Sequence, residues 1–562
     1  MQFSKKKSKF VVEIVKPTNY LIMKKLSIIA FALMAAMSLF AQKADYNVVP
    51  MPQTVTQVNK PSFTLNADTR IVYVEGVEQM EDNARFLQEY IQKNVGIKVL
   101  TSTNIAKAPA NAIKLVLDEK VENAEGYVMT VDNKGVVIKG STPAGVFYGI
   151  QTLRKSLPTT VCTQVELPAV QIADAPRFAY RGMMLDCGRH FFPVEFVKEY
   201  IDLIAMHNMN RFHWHLTEDQ GWRIEIKKYP MLTAIGSVRK ETTIGHNSQI
   251  YDGTPYGGYY TQEQAREIVE YAAKRHIIVI PEIDMPGHQE SALASIPELG
   301  CTGGPYEVET NWGVFPDILC MGNEKTYEFC ENVLSELMDI FPSEIIHIGG
   351  DEAPKKRTVE CPKCKALMER EGLNEHNVQG YFTNRIEKFV NSKGRRIMGW
   401  DEILEGDINK SATIHCWRGS EHGIKAAQLG HDVVMSPTTY CYLDYYQFDP
   451  KKSDEPQAIG GYLPLEKVYG MISIPDDISP ENRSHILGVQ GNLWTEYIGT
   501  TNYAEYMVLP RMAAIAEEGW CEHKGTYEEF MPRMTRLTDL YDLYGLQYAK
   551  HNWPEKKIQK EW

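Results

Sequence analysis

From about residue 176 onward, a short apolar run that ends in polar or aromatic residues recurs eight times. The runs are Gly182–Cys187, Arg211–Leu216, Ile277–Ile283, Ile345–Ile348, Arg396–Trp400, Ala412–Trp417, Asp432–Met435 and Ile486–Trp494. Each reads as a buried strand. Helical patterns lie between several of them. Pro193 reads as the first helical residue of a segment whose Phe196, Tyr200, Leu203 and Ile204 form one stripe. Thr261-Gln262-Glu263-Gln264 reads as a capping box ahead of Ile268, Tyr271 and Ala272. Eight strand-then-helix units with right-handed crossovers predict an α/β fold, a TIM barrel over residues 176–525.

A barrel of this kind carries its chemistry at the C-terminal ends of its strands. Those positions hold Asp186 and Arg189, then His213, His215, Glu218 and Asp219, then Glu282, Asp284 and His288. Asp351 and Glu352 follow, then Trp400, Trp417, Tyr442 with Asp444, and Trp494 with Glu496. The densest of these ends is Ile345-Ile346-His347-Ile348-Gly349-Gly350-Asp351-Glu352, a strand, a sharp glycine exit and two adjacent acids. Carboxyls that share a site push one pKa up, which keeps a general acid loaded near neutral pH. A net charge of -12 with no basic stripe excludes a nucleic-acid partner. Tyr and Trp faces suit sugars and other flat apolar surfaces.

Residues 42–175 read as a small α+β domain. Ile113–Leu117, Gly126–Val131 and Gly135–Lys139 alternate as strands, and Asp82–Asn94 and Pro143–Leu157 carry helical patterns. Residues 1–41 read as an N-terminal extension and an export signal: Met23-Lys24-Lys25 opens a basic stretch, Leu26–Phe40 is apolar, and Ala41 precedes Gln42. Met23 is the expected true start, and the expected product is exported, periplasmic or extracellular, with no stable membrane span. Residues 526–562 read as a C-terminal helix, Phe530–Tyr544, and a polar tail that packs on the barrel. Among ten cysteines, Cys361-Pro362-Lys363-Cys364 has no second CxxC or paired His to complete a zinc site, so a structural role without metal is expected. Cys301 and Cys320 share one long loop and form a weak candidate pair. Cys187, Cys416 and Cys441 read as small packing residues.

Four ordered motifs carry a resemblance. Arg181-Gly-Met-Met-Leu-Asp-Cys-Gly-Arg-His190, His213-Trp-His-Leu-Thr-Glu-Asp-Gln-Gly-Trp-Arg223, Pro281-Glu-Ile-Asp-Met-Pro-Gly-His288 and His347-Ile-Gly-Gly-Asp-Glu352 resemble family 20 glycoside hydrolases, the β-N-acetylhexosaminidases. Val49-Pro-Met-Pro-Gln53 and Gly145-Val-Phe-Tyr-Gly-Ile-Gln-Thr-Leu153 look like the accessory α+β domain of that family.

The resemblance implies a retaining, substrate-assisted reaction on oligosaccharides or glycoconjugates with a terminal β-linked N-acetylhexosamine, and no cofactor. In that scheme the sugar's acetamido oxygen attacks the anomeric carbon. Glu352 protonates the leaving oxygen, and Asp351, as an anion, holds the acetamido N–H. Arg189 grips the 3- and 4-hydroxyls, Tyr442 bonds the acetamido carbonyl, and Asp444 and Glu496 take outer hydroxyls. Trp400, Trp417 and Trp494 wall the acetamido group and ring face, and Asp219, Asp284 and His288 support Glu352. Where the family often has Asp-Asp, this chain has Glu218-Asp219, so Asp219 is carried over and Glu218 stays open.

Two other functions stay open on the residues. His213, His215, His288 and Asp351 could be ligands of a metal-dependent amidohydrolase. The same barrel could also serve as a non-catalytic glycan-binding protein. Taken singly, a Trp at a strand end is usually core, an Arg189 a surface ion pair, and Glu282 or Asp284 a structural hydrogen bond.

Overall fold

The computed structural model describes residues 42–452, 455–475 and 478–556. The expected export signal and the last residues of the tail lie outside the described residues. Eight parallel strands close into a barrel: β1 (Tyr180–Asp186), β2 (Arg211–His215), β3 (Ile278–Glu282), β4 (Ile345–His347), β5 (Arg396–Trp400), β6 (Thr413–Cys416), β7 (Val433–Met435) and β8 (Ile486–Leu493). Each overlaps one of the runs read from the sequence. Their residues are almost all buried because helices cover the outside and side chains fill the inside.

The interior is layered. Tyr180, Ile280, Met398 and Val434, from the odd-numbered strands, form an apolar floor. Above them the even-numbered strands contribute a polar layer. His213 and His347 stack at 4.4 Å, His347 meets His415 at 3.2 Å, and Gln490 meets His213 at 3.0 Å. Register then aligns Asp186, His215, Glu282 and His347 across β1 to β4, so these strands end in a row of titratable side chains.

The helix after β1 spans Val194–Met206, and Pro193 is its N-cap, not its first helical residue. Proline's fixed φ serves either position, so sequence alone places it within one residue. The capping box at Thr261 and Gln264 is present, ahead of helix Gln262–Ala273.

Ahead of the barrel lies a seven-stranded mixed sheet. Ala112–Leu117, Tyr127–Asp132 and Gly135–Gly140 are adjacent in it. Helix Pro143–Ser156 is buried along nearly its whole length. It contacts Gly135–Gly140 on the sheet side, while Tyr148 packs on Trp520 of the barrel at 5.0 Å. The C-terminal helix, Tyr527–Tyr544, starts with a capping box between Thr526 and Glu529. It ties both parts together: Arg533 pairs with Glu517 and donates to the Val48 carbonyl, and Arg536 donates to the Asp45 carbonyl.

Candidate active site

The site is assembled at the exit of β4. Gly349 and Gly350 have φ of 64° and 100°, and Glu352 has φ of 45°. This left-handed path is open to glycine and costly for glutamate, a strain that marks functional turns. The glycines are also required by space: a Cβ at 349 would lie 1.8 Å from Asp284 Oδ1, and one at 350 would lie 2.6 Å from Ile403 Cγ2. The turn sends the two acids apart. The Asp351 side chain points inward and is 12% exposed, whereas the Glu352 side chain is 42% exposed.

Their protonation departs from the sequence expectation. Burial lifts the Asp351 carboxyl above its ordinary value, with His288 pulling against it. Beside it, burial and the adjoining Asp351 charge push the Asp284 carboxyl well above its ordinary value. Glu352 moves the other way: its contact with His288 holds it below its ordinary value against a smaller effect of burial. The reason is the outward turn, which aims Glu352 at an imidazolium and away from the other acids. Burial lowers His288, yet Glu218, Asp219 and Glu352 outweigh it and keep the ring charged. His288 Nδ1 lies 3.0 Å from Glu218 and 3.3 Å from Asp219, and its Nε2 lies 3.6 Å from Glu352 and 3.8 Å from Asp351. These are ion-pair distances. Neither ring nitrogen is aligned for a hydrogen bond.

Glu218, left open by the sequence, is the hub. One carboxylate oxygen takes Arg189 Nη2 and His215 Nε2, both at 3.0 Å, and the other faces His288. Burial would raise it, but Arg189 and His288 hold it below the usual range. The extra methylene relative to aspartate supplies this reach. Asp219 accepts the Glu290 N–H at 3.0 Å. Arg189 is also fixed by Asp186 at 3.3 Å and stands 5.0 Å from the Trp494 ring, and Asp186 accepts the Thr495 N–H from the end of β8.

Beneath lies Glu282, buried and ionised. It meets His213 Nε2, His347 Nδ1 and Trp400 Nε1, each at 2.9 Å, and His215 Nδ1 more closely still. This places Trp400. Trp417 donates to Glu402 at 2.9 Å, and Trp400, Trp417, Tyr442 and Trp494 form one aromatic cluster with Met184. Glu402 was not singled out from the sequence, because it hides in a 3-10 turn, Asp401–Glu405. Burial, then the Asp351 charge, push its carboxyl up to about 8.

Asp444 and Glu496 complete the ring. Glu496 lies 4.0 Å from Arg189, and burial raises both acids. Arg189 Nε, Asp351 Oδ1, Asp444 Oδ1 and Glu496 Oε2 are buried without a hydrogen-bond partner among the described residues. Buried polar atoms are otherwise nearly always paired, so their concentration around this ring indicates a polar ligand. The ligand set of the amidohydrolase reading does not converge. His213 groups with His347 and His415, while His288 groups with Asp284 and Asp351.

Two long loops flank Glu496. The Asn247 side-chain amide joins them, donating to the Trp312 carbonyl at 2.7 Å and accepting the Trp312 N–H at 2.9 Å, and Trp312 packs on Tyr497 at 6.3 Å. Trp312 lies in mid-loop, away from any strand end, so the strand-end argument passed it over, and Tyr497, next to Glu496, was not singled out.

The family model described as glycosyl hydrolase family 20, catalytic domain, matches residues 178–523, and the one described as domain 2 matches residues 45–175. The chain belongs to glycosyl hydrolase family 20. A β-hexosaminidase of Porphyromonas gingivalis is 42% identical over 513 residues, covering 89% of this chain and 64% of that protein. One from Vibrio furnissii is 38% identical over 400 residues, 70% of this chain and 65% of that protein. The chain thus spans just under two thirds of the length of these curated relatives. A crystal structure of a GH20 exo-β-N-acetylglucosaminidase from Vibrio harveyi with N-acetylglucosamine superposes with a TM-score of 0.79 at 31% identity, covering 91% of this chain and 80% of that one. In this family 20 chain, no helix among the described residues is long and apolar enough to cross a membrane.

Proposed function

We propose that this chain is an exo-acting, retaining β-N-acetylhexosaminidase. It removes terminal β-linked GlcNAc or GalNAc from glycans, with the substrate's acetamido group as nucleophile. The observation that carries this reading is the split of Asp351 from Glu352 across the left-handed exit of β4. The Asp351 charge reaches Tyr442, which belongs to the aromatic cluster of Trp400, Trp417 and Trp494 where an acetamido group fits, and the more exposed Glu352 serves the open side, where the leaving oxygen departs. Tyr442 orients the acetamido carbonyl, and Arg189, Asp444 and Glu496 take the outer hydroxyls through their free polar atoms. Glu352 is loaded on binding: a sugar that covers it removes water, and desolvation favours the neutral acid. It then gives the proton to the leaving oxygen and receives one from water. The joined loops around Asn247 and Trp312 wall off one side, which favours a single terminal residue. Export is part of the proposal and rests on the Leu26–Phe40 apolar stretch behind Lys24 and Lys25.

The test is hydrolysis of aryl β-glycosides of GlcNAc and of glucose, with and without a thiazoline mimic of the oxazolinium. Cleavage of the N-acetylated sugar alone, blocked by the mimic, is expected. Equal cleavage of both would require a nucleophile from the protein and overturn the mechanism. Cleavage of neither would overturn the activity.

A further inference from the structure

Away from the sugar site, four cysteines from three segments meet at one point. Cys301 follows the 3-10 turn Pro297–Leu299, and Cys320 closes the loop that Cys301 opens. Cys361 caps helix Pro362–Glu371, and Cys364 lies in its first turn. Their Sγ atoms are 3.9 Å apart for Cys301 and Cys364, 3.7 Å for Cys320 and Cys361, and 3.6 Å for Cys320 and Cys364. All four lie within 4.8 Å of one another. A disulfide needs about 2.05 Å, and all ten cysteines are free. Four thiolates about 2.3 Å from a tetrahedral zinc stand about 3.8 Å from each other. The apolar cluster at this point has no aliphatic member: it consists of Cys320, Cys361 and Cys364, with the half-buried Cys301 packed against them.

The backbone is shaped around the cluster. A Cβ at Gly322 would lie 2.3 Å from the Lys363 carbonyl carbon and oxygen and 2.4 Å from the Cys364 nitrogen. Only glycine lets the segment after Cys320 cross the CxxC turn at this distance. Gly300 bridges Leu319, and the Cys320 N–H donates to the Leu299 carbonyl at 2.8 Å, so Cys301 and Cys320 are held side by side. Cys361 and Cys364 sit at a helix N-terminus, whose dipole favours thiolate.

We propose that Cys301, Cys320, Cys361 and Cys364 bind one structural zinc ion that clamps the loop after β3 to the loop after β4. Four sulfur ligands in a closed, mostly buried set leave no open position for substrate. The sequence hid the site because its second half is two cysteines nineteen positions apart in one loop, not a second CxxC. The clamp joins the loop that carries Trp312 to the segment that begins with Asp351 and Glu352. The Arg357–Asp317 pair, at 2.8 and 2.9 Å, spans the same two loops. The inference does not depend on the glycosidase reading.

The test is metal analysis of the purified full chain together with its intact mass under non-reducing conditions. One zinc per chain is expected, released by an organomercurial as the four thiols react. Cys320→Ser and Cys361→Ser should lose the zinc, whereas Cys330→Ser, in the neighbouring helix Glu324–Ile340, should keep it. Stripping the zinc should lower the thermal midpoint and open the 301–320 loop to protease. A mass short of four thiol hydrogens, meaning two disulfides, would overturn the proposal. So would iron in place of zinc, or four reactive thiols that take up no added zinc. If the variants do not fold, the metal content of the unmutated chain still decides.

Discussion

At the scale of single residues, the site is a contest over where protons sit. In the proposed mechanism Glu352 must be protonated to act as an acid, yet His288 holds it low in the free protein. Activity that needs a protonated Glu352 is lost as pH rises through its pKa. Substrate raises that pKa by excluding water, so the alkaline limb of kcat should lie at higher pH than that of kcat/KM. His288→Gln should move the kcat/KM limb upward while lowering the maximal rate, and an unmoved limb would remove His288 from this role. Glu352→Gln should cost about 10²–10⁴-fold on substrates with poor leaving groups and spare activated aryl glycosides. Glu218→Gln tests the hub. It leaves the buried charges of Arg189 and His288 short of a partner, which should cost about 3–5 kcal/mol in urea unfolding. That Glu218 would be the hub was not legible in the sequence. Glu218 and Asp219 are neighbours of one charge type, and only the short hairpin of Thr217–Glu218 with Gly221–Trp222 decides which reaches Arg189.

At the scale of elements, the barrel was legible because parallel strands buried on both faces read as continuous apolar runs. The accessory sheet was legible only where strands alternate. Thr54–Gln57 is exposed at every position and Leu100–Ser102 likewise, so neither carries a pattern to read. The sharp turn that carries Asp351 and Glu352 was legible because it follows a strand and a glycine pair. What no pattern carried was the direction in which each acid turns, which depends on Asp284 occupying the space beside Gly349. Gly349→Ala isolates that dependence. The added methyl collides with the Asp284 carboxyl and must adopt a left-handed φ, worth about 1–2 kcal/mol by itself. The larger effect is displacement of Asp351, and an ångström of misplacement costs about 100-fold. A folded variant by circular dichroism with kcat reduced at least that far is expected. Near-normal kcat would mean that the exit of β4 does not position the pair.

At the scale of the whole molecule, the accessory domain and the barrel share an ion pair, buried on the arginine side and half-buried on the glutamate side, far from the candidate site. Arg181 stands at the foot of β1, fully buried, and donates to Glu125 through Nη1 at 2.9 Å and Nη2 at 3.1 Å. The same guanidinium donates to Tyr148 of the buried helix and to the Asn208 and Phe178 carbonyls, and Glu125 also takes Asn210 at 2.8 Å. The candidate site lies at the opposite end of the strand, so this pair should govern stability alone. Glu125→Gln keeps the shape and leaves Arg181 charged and uncompensated, which should cost about 3–5 kcal/mol with kcat of the folded fraction unchanged. The sign of the pH dependence follows from Glu125. Burial pushes its carboxyl up, but Arg181 and Asn210 outweigh that and hold it below its ordinary value. Its contribution is therefore complete above the unfolded carboxyl pKa of about 4.3 and is lost as pH falls through the lower folded value. The stability gap between the parent chain and Glu125→Gln, measured by urea unfolding, should be constant near neutrality and narrow in acid. A gap that persisted unchanged into acid would mean that the variant acts through lost packing at the seam and not through the charge on Glu125.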